Sequence, residues 1–310
     1  MPPSSAGASA AGAHVARALG TPWRAVTVFL LPAATFYVAF TAYPVFRTLW
    51  NSFHKVLPAK EEFVGLANYA ELVRDEIFWR AVRNTLVWAC TSPLFEVSIA
   101  LVLALALYAK VPGRRFFRIA WFTPVLMSYV VVGIIWAWIY NYDWGAVNTG
   151  LRALGLNSWT RAWLGKQETA LPALIFVTTW MWSGFNMVVL LAAMHAIPAD
   201  YLDAARVDGA GAWQRTFLIM VPLLWPTIIN LVILDFIGKM KQFALVWVMT
   251  RGGPMWGTET VATYVVKRAF EWKTLDLGYP SAIAVIWFVI IFGLSLLLTR
   301  VLQRREALEF

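Results

Sequence analysis

Long runs of apolar residues, separated by short polar segments, dominate the chain from residue 25 onward. About 20 consecutive apolar residues are enough for a helix to cross a bilayer, and each run reaches that length. The pattern therefore predicts an all-α membrane protein with six spanning helices. Their approximate bounds are residues 25–49, 82–108, 117–140, 169–194, 217–239 and 281–302, and the fifth can be extended to Met249.

One polar interruption, residues 197–226, carries a helical pattern of its own between the fourth and fifth runs. Pro198 suits the first position of a helix, where its missing N–H has no partner to lose. Small and apolar residues at 3–4 spacing predict a short amphipathic helix over residues 201–208. Gly209 ends it in the left-handed conformation that glycine accepts. A second helix is expected over residues 213–221.

The composition agrees with a membrane location. Hydrophobic residues make up 60% of the chain and charged residues only 14%, whereas soluble domains carry about 25% charged residues. The net charge of +9 does not indicate a nucleic-acid partner, because the basic residues are scattered among loops; membrane lipid is the simpler partner. A single cysteine, Cys90, and three distant histidines offer no metal site.

The first 24 residues are rich in Ala, Ser and Gly, so we expect a flexible tail followed by one transmembrane domain over residues 25–310. With an even number of spans, both termini share one side. Fewer than half of the 26 lysines and arginines lie on that side, but short loops decide orientation. The densest short cluster lies there and consists of Lys110, Arg114, Arg115 and Arg118. We therefore expect both termini in the cytoplasm.

The polar interruption contains a spaced motif. Asp203-Ala204-Ala205, Asp208-Gly209-Ala210 and then Val221-Pro222 resemble the Glu-Ala-Ala loop of binding-protein-dependent ABC importer permeases, in the carbohydrate-uptake branch with the maltose and glycerol-phosphate type subunits. Asp replaces Glu at 203, and Val replaces Leu at 221. The resemblance implies a cytoplasmic coupling helix within residues 195–216. Its contacts with the ATPase subunits would come from Asp203, Ala204, Ala205, Asp208, Gly209 and Ala210. An ordinary interfacial helix is the alternative.

Four further segments resemble the same family in order and spacing; they are residues 64–69, 83–85, 142–148 and 252–254. The resemblance implies a bacterial plasma (inner) membrane protein. Its partners would be a second homologous permease subunit, two ATPase subunits and an extracytoplasmic solute-binding protein. The chain lacks a phosphate-binding G-x-x-x-x-G-K-[ST] loop and the common hydrolase motifs. We therefore expect no enzyme activity, no catalytic residue and no cofactor in this chain, with ATP and Mg bound by the partner subunits.

Ionisable residues inside spans are costly and point to function. Asp235 and Lys239 are four residues apart, and Gly238 and Gln242 lie on the same predicted helical face. One interpretation is an ion pair that fixes helix packing. The other is a substrate-binding face whose carboxylate, ammonium and amide groups bind hydroxyls. Resemblance to the maltose permease supports the second, since the spacing back from Gly252-Gly253-Pro254 places that permease's sugar-binding face here.

The fourth span offers a matching face. Thr178, Met181, Trp182 and Phe185 recur at helical spacing, and an aromatic ring among them can stack on a sugar. Ordinary packing of this stripe is the alternative. Glu96, in the second span, is expected to face a neighbouring helix.

Taken with the resemblance, these patterns predict the transmembrane subunit of an ABC importer. It would form the translocation path for a sugar or related polyol and be driven by ATP hydrolysis on separate subunits. Lys239 also fits a phosphorylated polyol. An autonomous channel or ion-coupled transporter is the main alternative and would transport without ATP. A membrane enzyme would need a polar catalytic cluster that these motifs do not supply.

Overall fold

The computed structural model describes residues 23–109, 111–272 and 275–303, which are mostly helical. The predicted tail therefore lies outside the described residues, apart from Trp23 and Arg24 at the start of the first helix. The helices and strands are α1 (Trp23–Tyr37), α2 (Tyr43–Asn51), β1 (His54–Leu57), β2 (Lys60–Phe63), α3 (Ala67–Arg74), α4 (Glu76–Tyr108), α5 (Arg114–Phe122), α6 (Tyr129–Ile139), α7 (Ala146–Ala153), α8 (Gln167–Ala196), α9 (Ala199–Val207), α10 (Ala212–Gln214), α11 (Val221–Leu223), α12 (Trp225–Met240), α13 (Ala244–Met249), α14 (Val261–Val266) and α15 (Gly278–Gln303). Wider π-helical turns occur at Val38–Ala42, Arg215–Met220 and Lys267–Glu271, and 3-10 turns at Thr123–Leu126 and Asn157–Trp159.

Four helical segments within the described residues are long and apolar enough to cross a membrane, or six if each of two bent pairs counts as one span. The four unbroken segments are Phe29–Asn51, Glu76–Tyr108, Gln167–Ala196 and Gly278–Leu302. They coincide with the first, second, fourth and sixth predicted spans. The prediction is thus confirmed at the level of a polytopic helical protein, and the bent pairs cover the other two spans.

The third predicted span, residues 117–140, is divided in the structure. The segment Arg114–Leu126 meets α6 at 105°. Pro124 lies in the 3-10 turn that ends the first half. Ser128 then starts α6 as its N-cap, with its hydroxyl accepting from the Val131 N–H at 3.3 Å. A capped start of this kind favours two helices over one continuous helix.

The fifth predicted span, residues 217–239, is also divided. Ala212–Leu223 meets α12 at 59°, and Pro222 and Pro226 flank the bend. Each proline lacks the N–H that a continuous helix would use, so the chain bends where they cluster. The helix predicted over residues 213–221 is helical, but it consists of α10, a π-helical stretch and α11. The extension to Met249 is wrong, since α12 and α13 are separate helices.

The contact between α4 and α8 forms the centre of the bundle, because both helices bury apolar side chains along most of their length. Trp88 on α4 is fully buried and donates through Nε1 to Thr178 Oγ1 on α8 at 3.2 Å. Gly184 on α8 allows a second close approach. A Cβ added there would lie 1.8 Å from the backbone oxygen of Trp121, so this part of α5 rests directly on α8.

The start of α4 is tied to two other elements through Asp75. Its carboxylate accepts from the backbone N–H groups of Ile77 and Phe78 at 2.9 and 3.1 Å, which caps the helix. The hydroxyls of Tyr264 and Tyr279 donate to the same carboxylate. Burial alone would raise the pKa of Asp75, but these hydrogen bonds outweigh burial and hold the pKa below its usual value.

The hairpin lies outside the predicted pattern of spans, and the first span differs from the others in its exposure. Strands β1 and β2 form an antiparallel hairpin, and Asp276 Oδ1 accepts from the Val56 N–H on it at 2.9 Å. The Phe29–Asn51 segment, in contrast, has no buried residue in its most apolar stretch. Phe29 and Phe40 are 84% and 74% exposed there. Apolar surface of this extent needs lipid or another protein against it.

Candidate functional site

Helix α9 and its following turn present most of the predicted coupling residues to solvent. The exposed members are Asp203, Ala204, Asp208 and Gly209. Ala205 is buried and Ala210 is half-buried, and Leu202 packs against the apolar core of the bundle. The exposed and buried sides of α9 match the amphipathic pattern expected from the sequence.

The predicted glycine turn is present. Gly209 has φ +82°, in the left-handed region, and a Cβ on it would meet only open space. The turn is closed by the Ala210 N–H, which donates to the Ala205 oxygen at 2.9 Å. Glycine is therefore required here for its backbone conformation and not for room. The prediction for Pro198 is wrong by one position, since it precedes the first helical residue, Ala199.

Charged and polar side chains of α4, α8 and α12 meet inside the bundle. Glu96 Oε1 lies 2.9 Å from Lys239 Nζ, and both side chains are at most 3% exposed. Asn186 Nδ2 donates to Asp235 Oδ2 at 2.6 Å. Asp235 also interacts electrostatically with Glu96 and Lys239. We call these four residues the buried polar cluster; it joins three helices through two carboxylates, one ammonium and one amide.

Aromatic side chains border this cluster. The Trp182 Nε1–H donates to the Tyr129 hydroxyl at 2.7 Å, and Lys239 Nζ lies 5.2 Å from the centre of the Trp182 ring. That distance suits a cation–π interaction. Phe185 stands nearly perpendicular to Trp182, at 5.8 Å between ring centres, and is 37% exposed. The arrangement provides a half-exposed aromatic surface next to buried charge.

The predicted face of α12 is only partly realised. The interpretation of Asp235 and Lys239 as a direct ion pair is wrong. Helix α4 packs against α12 and brings Glu96 to Lys239 instead. Gly238 is exposed, and a Cβ there would meet nothing within 4 Å. Gln242 lies beyond the end of α12 and so does not share its face. It is buried, and its Nε2 has no hydrogen-bond partner within the described residues.

The predicted face of α8 is divided as well. Thr178 and Met181 are buried in the core, Thr178 by its contact with Trp88, so neither offers a surface to a bound molecule. The expectation for Glu96 is confirmed, since it faces α12. Asn186 was not among the predicted residues, although a polar side chain in an apolar run was a usable signal. Among the residues that the structure describes, no group of His, Cys, Asp or Glu is arranged to hold a metal ion.

A second buried ion pair organises the loop between α13 and α14. Lys267 Nζ lies 2.5 Å from Glu259 Oε2. Burial raises the pKa of Glu259, although the neighbouring ammonium opposes that shift. Asn84 Nδ2 donates to the Trp256 and Glu259 backbone oxygens at 2.9 and 3.0 Å. A Cβ on Gly252 would lie 1.9 Å from Glu259 Oε2, so the loop closes only around glycine. These contacts give residues 83–85 and 252–254 a shared structural role.

Several known proteins are similar to this chain in sequence or in fold. A solved bacterial ABC transporter involved in the import of the acidic polysaccharide alginate has a similar fold, with a TM-score of 0.81 at 23% identity over 94% of this chain and 99% of that chain. The probable ABC transporter permease protein YurN of Bacillus subtilis is 35% identical over 87% of this chain and 93% of that protein. The sulfoquinovosyl glycerol transport system permease protein SmoG of Agrobacterium fabrum is 33% identical over 91% and 92%. Residues 96–307 match the model of a single family. The chain therefore belongs to the family of binding-protein-dependent transport system inner membrane components.

Proposed function

We propose that this chain is one transmembrane subunit of an ABC importer that carries a sugar or a related polyol across the plasma (inner) membrane. The observation that carries the proposal is similarity over nine-tenths of the chain to a relative named for the transport of a sugar conjugate, sulfoquinovosyl glycerol. Family membership supports the importer class. ATP would be hydrolysed on separate subunits, because the sequence has no phosphate-binding loop.

Helix α9 is the proposed contact with those ATPase subunits. Val207 and Tyr201 on this short helix are 88% and 57% exposed. Both leave apolar surface that a partner protein would cover. Asp203 lies on α9, and Gly209 lies in the turn that follows it. Closure of the ATPase pair would move α9 and, through it, α8 and α12.

The buried polar cluster and Trp182 are the proposed substrate contacts. Asn186 Oδ1 and Gln242 Nε2 lack hydrogen-bond partners within the described residues. Buried polar atoms are nearly always paired, so this acceptor and this donor suit a bound molecule rich in hydroxyls. The exposed backbone at Gly238 leaves room beside them. Thr178 and Met181 would act by positioning α8.

Further partners follow from the proposed class. A second, homologous permease would complete the path, and the exposed apolar Phe29–Asn51 segment offers surface for it or for lipid. A solute-binding protein would dock at the end that carries the β1–β2 hairpin. Both termini would then lie in the cytoplasm, with the short Arg-rich turn.

One observation favours a second class. Glu96, Asp235 and Lys239 lie inside spans, as do the ionisable residues of ion-coupled transporters. Reconstitution separates the two classes: the chain is placed in liposomes with its co-purified subunits, its binding protein and radiolabelled candidate sugars. Uptake that requires ATP in the compartment of the ATPases supports the importer. Uptake driven by a proton or sodium gradient without ATP would contradict it.

A further inference from the structure

A polar cavity lies away from the buried polar cluster, at the junction of α4, α5 and α8. It has a volume of about 290 Å³. Its lining combines two buried leucines with four basic or potentially basic side chains, namely Leu107, Leu191, Arg114, Arg115, Arg118 and His195. Nothing in the proposed transport cycle uses this cavity.

The arginines lack counter-charges. Within residues 23–109, 111–272 and 275–303, no ion pair or side-chain hydrogen bond involves Arg114, Arg115 or Arg118. Arg114 and Arg118 are also four residues apart on α5, where like charges destabilise a helix. An anion in the cavity would relieve this repulsion. Guanidinium groups donate in a planar fork that matches the oxygens of a phosphate, so a phosphate group suits the cavity.

The position of the cavity indicates where that phosphate comes from. The cavity lies where the two longest spans end, near Tyr108 on α4 and His195 on α8. On the same helix as the arginines, Phe116 and Ile119 are 70% and 65% exposed. A lipid can contact both kinds of surface, because its headgroup is charged and its chains are apolar. A free ion would contact only the arginines. Basic pockets between spanning helices are suited to anionic headgroups.

We propose that this cavity binds the phosphate of an anionic phospholipid at the membrane boundary. Arg114, Arg115 and Arg118 hold the phosphate, and the acyl chains lie against Phe116 and neighbouring apolar residues. His195 completes the wall: its Nδ1 is 2.6 Å from the Leu191 oxygen and donates to it, which leaves Nε2 free of that bond. This proposal does not depend on which substrate the chain transports.

Native mass spectrometry of the full chain in its purified assembly tests this site. The protein is equilibrated with phosphatidylglycerol and phosphatidylcholine in equal amounts, and the retained lipid is counted. The site variant replaces three arginines by glutamine and is R114Q/R115Q/R118Q. The control makes the same charge change on exposed arginines at the opposite ends of the spans and is R74Q/R83Q/R161Q.

We expect the wild type and the control to retain phosphatidylglycerol selectively, and the site variant to lose it about tenfold or more. Single substitutions, each too mild to disturb folding, should give intermediate losses. Equal retention by the site variant and the control would overturn the proposal. Complete displacement of the lipid by millimolar inorganic phosphate would overturn it too, since the cavity would then be a site for the free ion.

Discussion

Replacing Lys239 by methionine tests whether the buried polar cluster holds α12 against α4. Methionine keeps most of the length of the side chain and removes the ammonium. The Lys239–Glu96 pair is 2.9 Å long and at most 3% exposed, so the variant leaves Glu96 and Asp235 buried without their cation. Removing one partner of a buried pair costs about 3–5 kcal/mol. We expect the free energy of unfolding to fall by about that amount.

The chain offers a matched control on the exposed surface of the protein. Lys60 Nζ lies 2.8 Å from Glu62 Oε2, a similar separation between the same residue types, but the two side chains are 69% and 55% exposed. Water already screens this pair, so Lys60→Met should leave stability unchanged within error. Both variants can be unfolded by titrating SDS into mixed micelles, with the fluorescence of the 18 tryptophans as the signal.

The double variant with Glu96→Gln and Lys239→Met separates charge from packing. It removes both charges of the pair and leaves Asp235 as the remaining carboxylate of the cluster, so part of the lost stability should return if the cost comes from the uncompensated Glu96 carboxylate. Should the double variant remain as unstable as Lys239→Met alone, the cost lies in Asp235 or in packing and not in the charge of Glu96. Equal stabilities of Lys239→Met and Lys60→Met would refute the reasoning, because the cluster would then be as hydrated as the surface pair.

Three further predictions concern coupling, transport and pH. Asp203→Lys and Gly209→Val should insert normally but lose substrate-stimulated ATP hydrolysis in the assembled complex, because one reverses a contact charge and the other strains a left-handed turn. Gln242→Ala should lower transport about tenfold at sub-saturating substrate, or about 1.4 kcal/mol, and Trp182→Ala should do likewise while ATPase coupling survives. The lowered pKa of Asp75 should add stability above about pH 4 that is lost as the pH falls through its folded-state value, and Asp75→Asn should abolish this dependence in acid-unfolding curves.

Controls for these variants are available in the chain. Asp200→Lys makes the same charge change as Asp203→Lys about one turn earlier on α9. It should retain more substrate-stimulated ATP hydrolysis than Asp203→Lys. Trp138→Ala removes an exposed tryptophan at the end of a span and should transport normally. Wild-type transport by both Gln242→Ala and Trp182→Ala would show that these two side chains have a structural role and do not contact the substrate. An acid-unfolding midpoint unchanged in Asp75→Asn would show that the carboxylate contributes nothing to it.

The elements that depend on local pattern could be predicted from the sequence. Apolar runs locate the four unbroken spanning segments and the two bent pairs among the described residues, and the order of small residues, glycine and proline locates α9 and the turn at Gly209. The breaks are harder to foresee. Pro124 and Ser128 carry the signals of a turn and a helix start, but they lie within an apolar run whose length suffices for one span. The β1–β2 hairpin is missed because its turn, at Pro58 and Ala59, lacks the usual Asn-Gly signal.

The candidate site shows where sequence reasoning stops. Helical spacing correctly selects Asp235 and Lys239 as unusual, and then assigns them to each other. Tertiary packing decides otherwise, since α4 brings Glu96 from 143 positions away in sequence. Which side of α8 faces the core is also a tertiary property. That is why Thr178 and Met181 are buried while Phe185, on the same predicted stripe, is exposed.

The contact at Gly184 limits how this protein can change shape. Backbone touches backbone there, with the Trp121 oxygen where a Cβ would otherwise be. Side chains at an ordinary interface can change rotamer as helices slide, but this contact has none to rearrange. We therefore expect helix α8 and the Trp121 segment to move together as one rigid body. The 105° corner before α6 is then the expected hinge, at which α6 could move without disturbing the contact at Gly184.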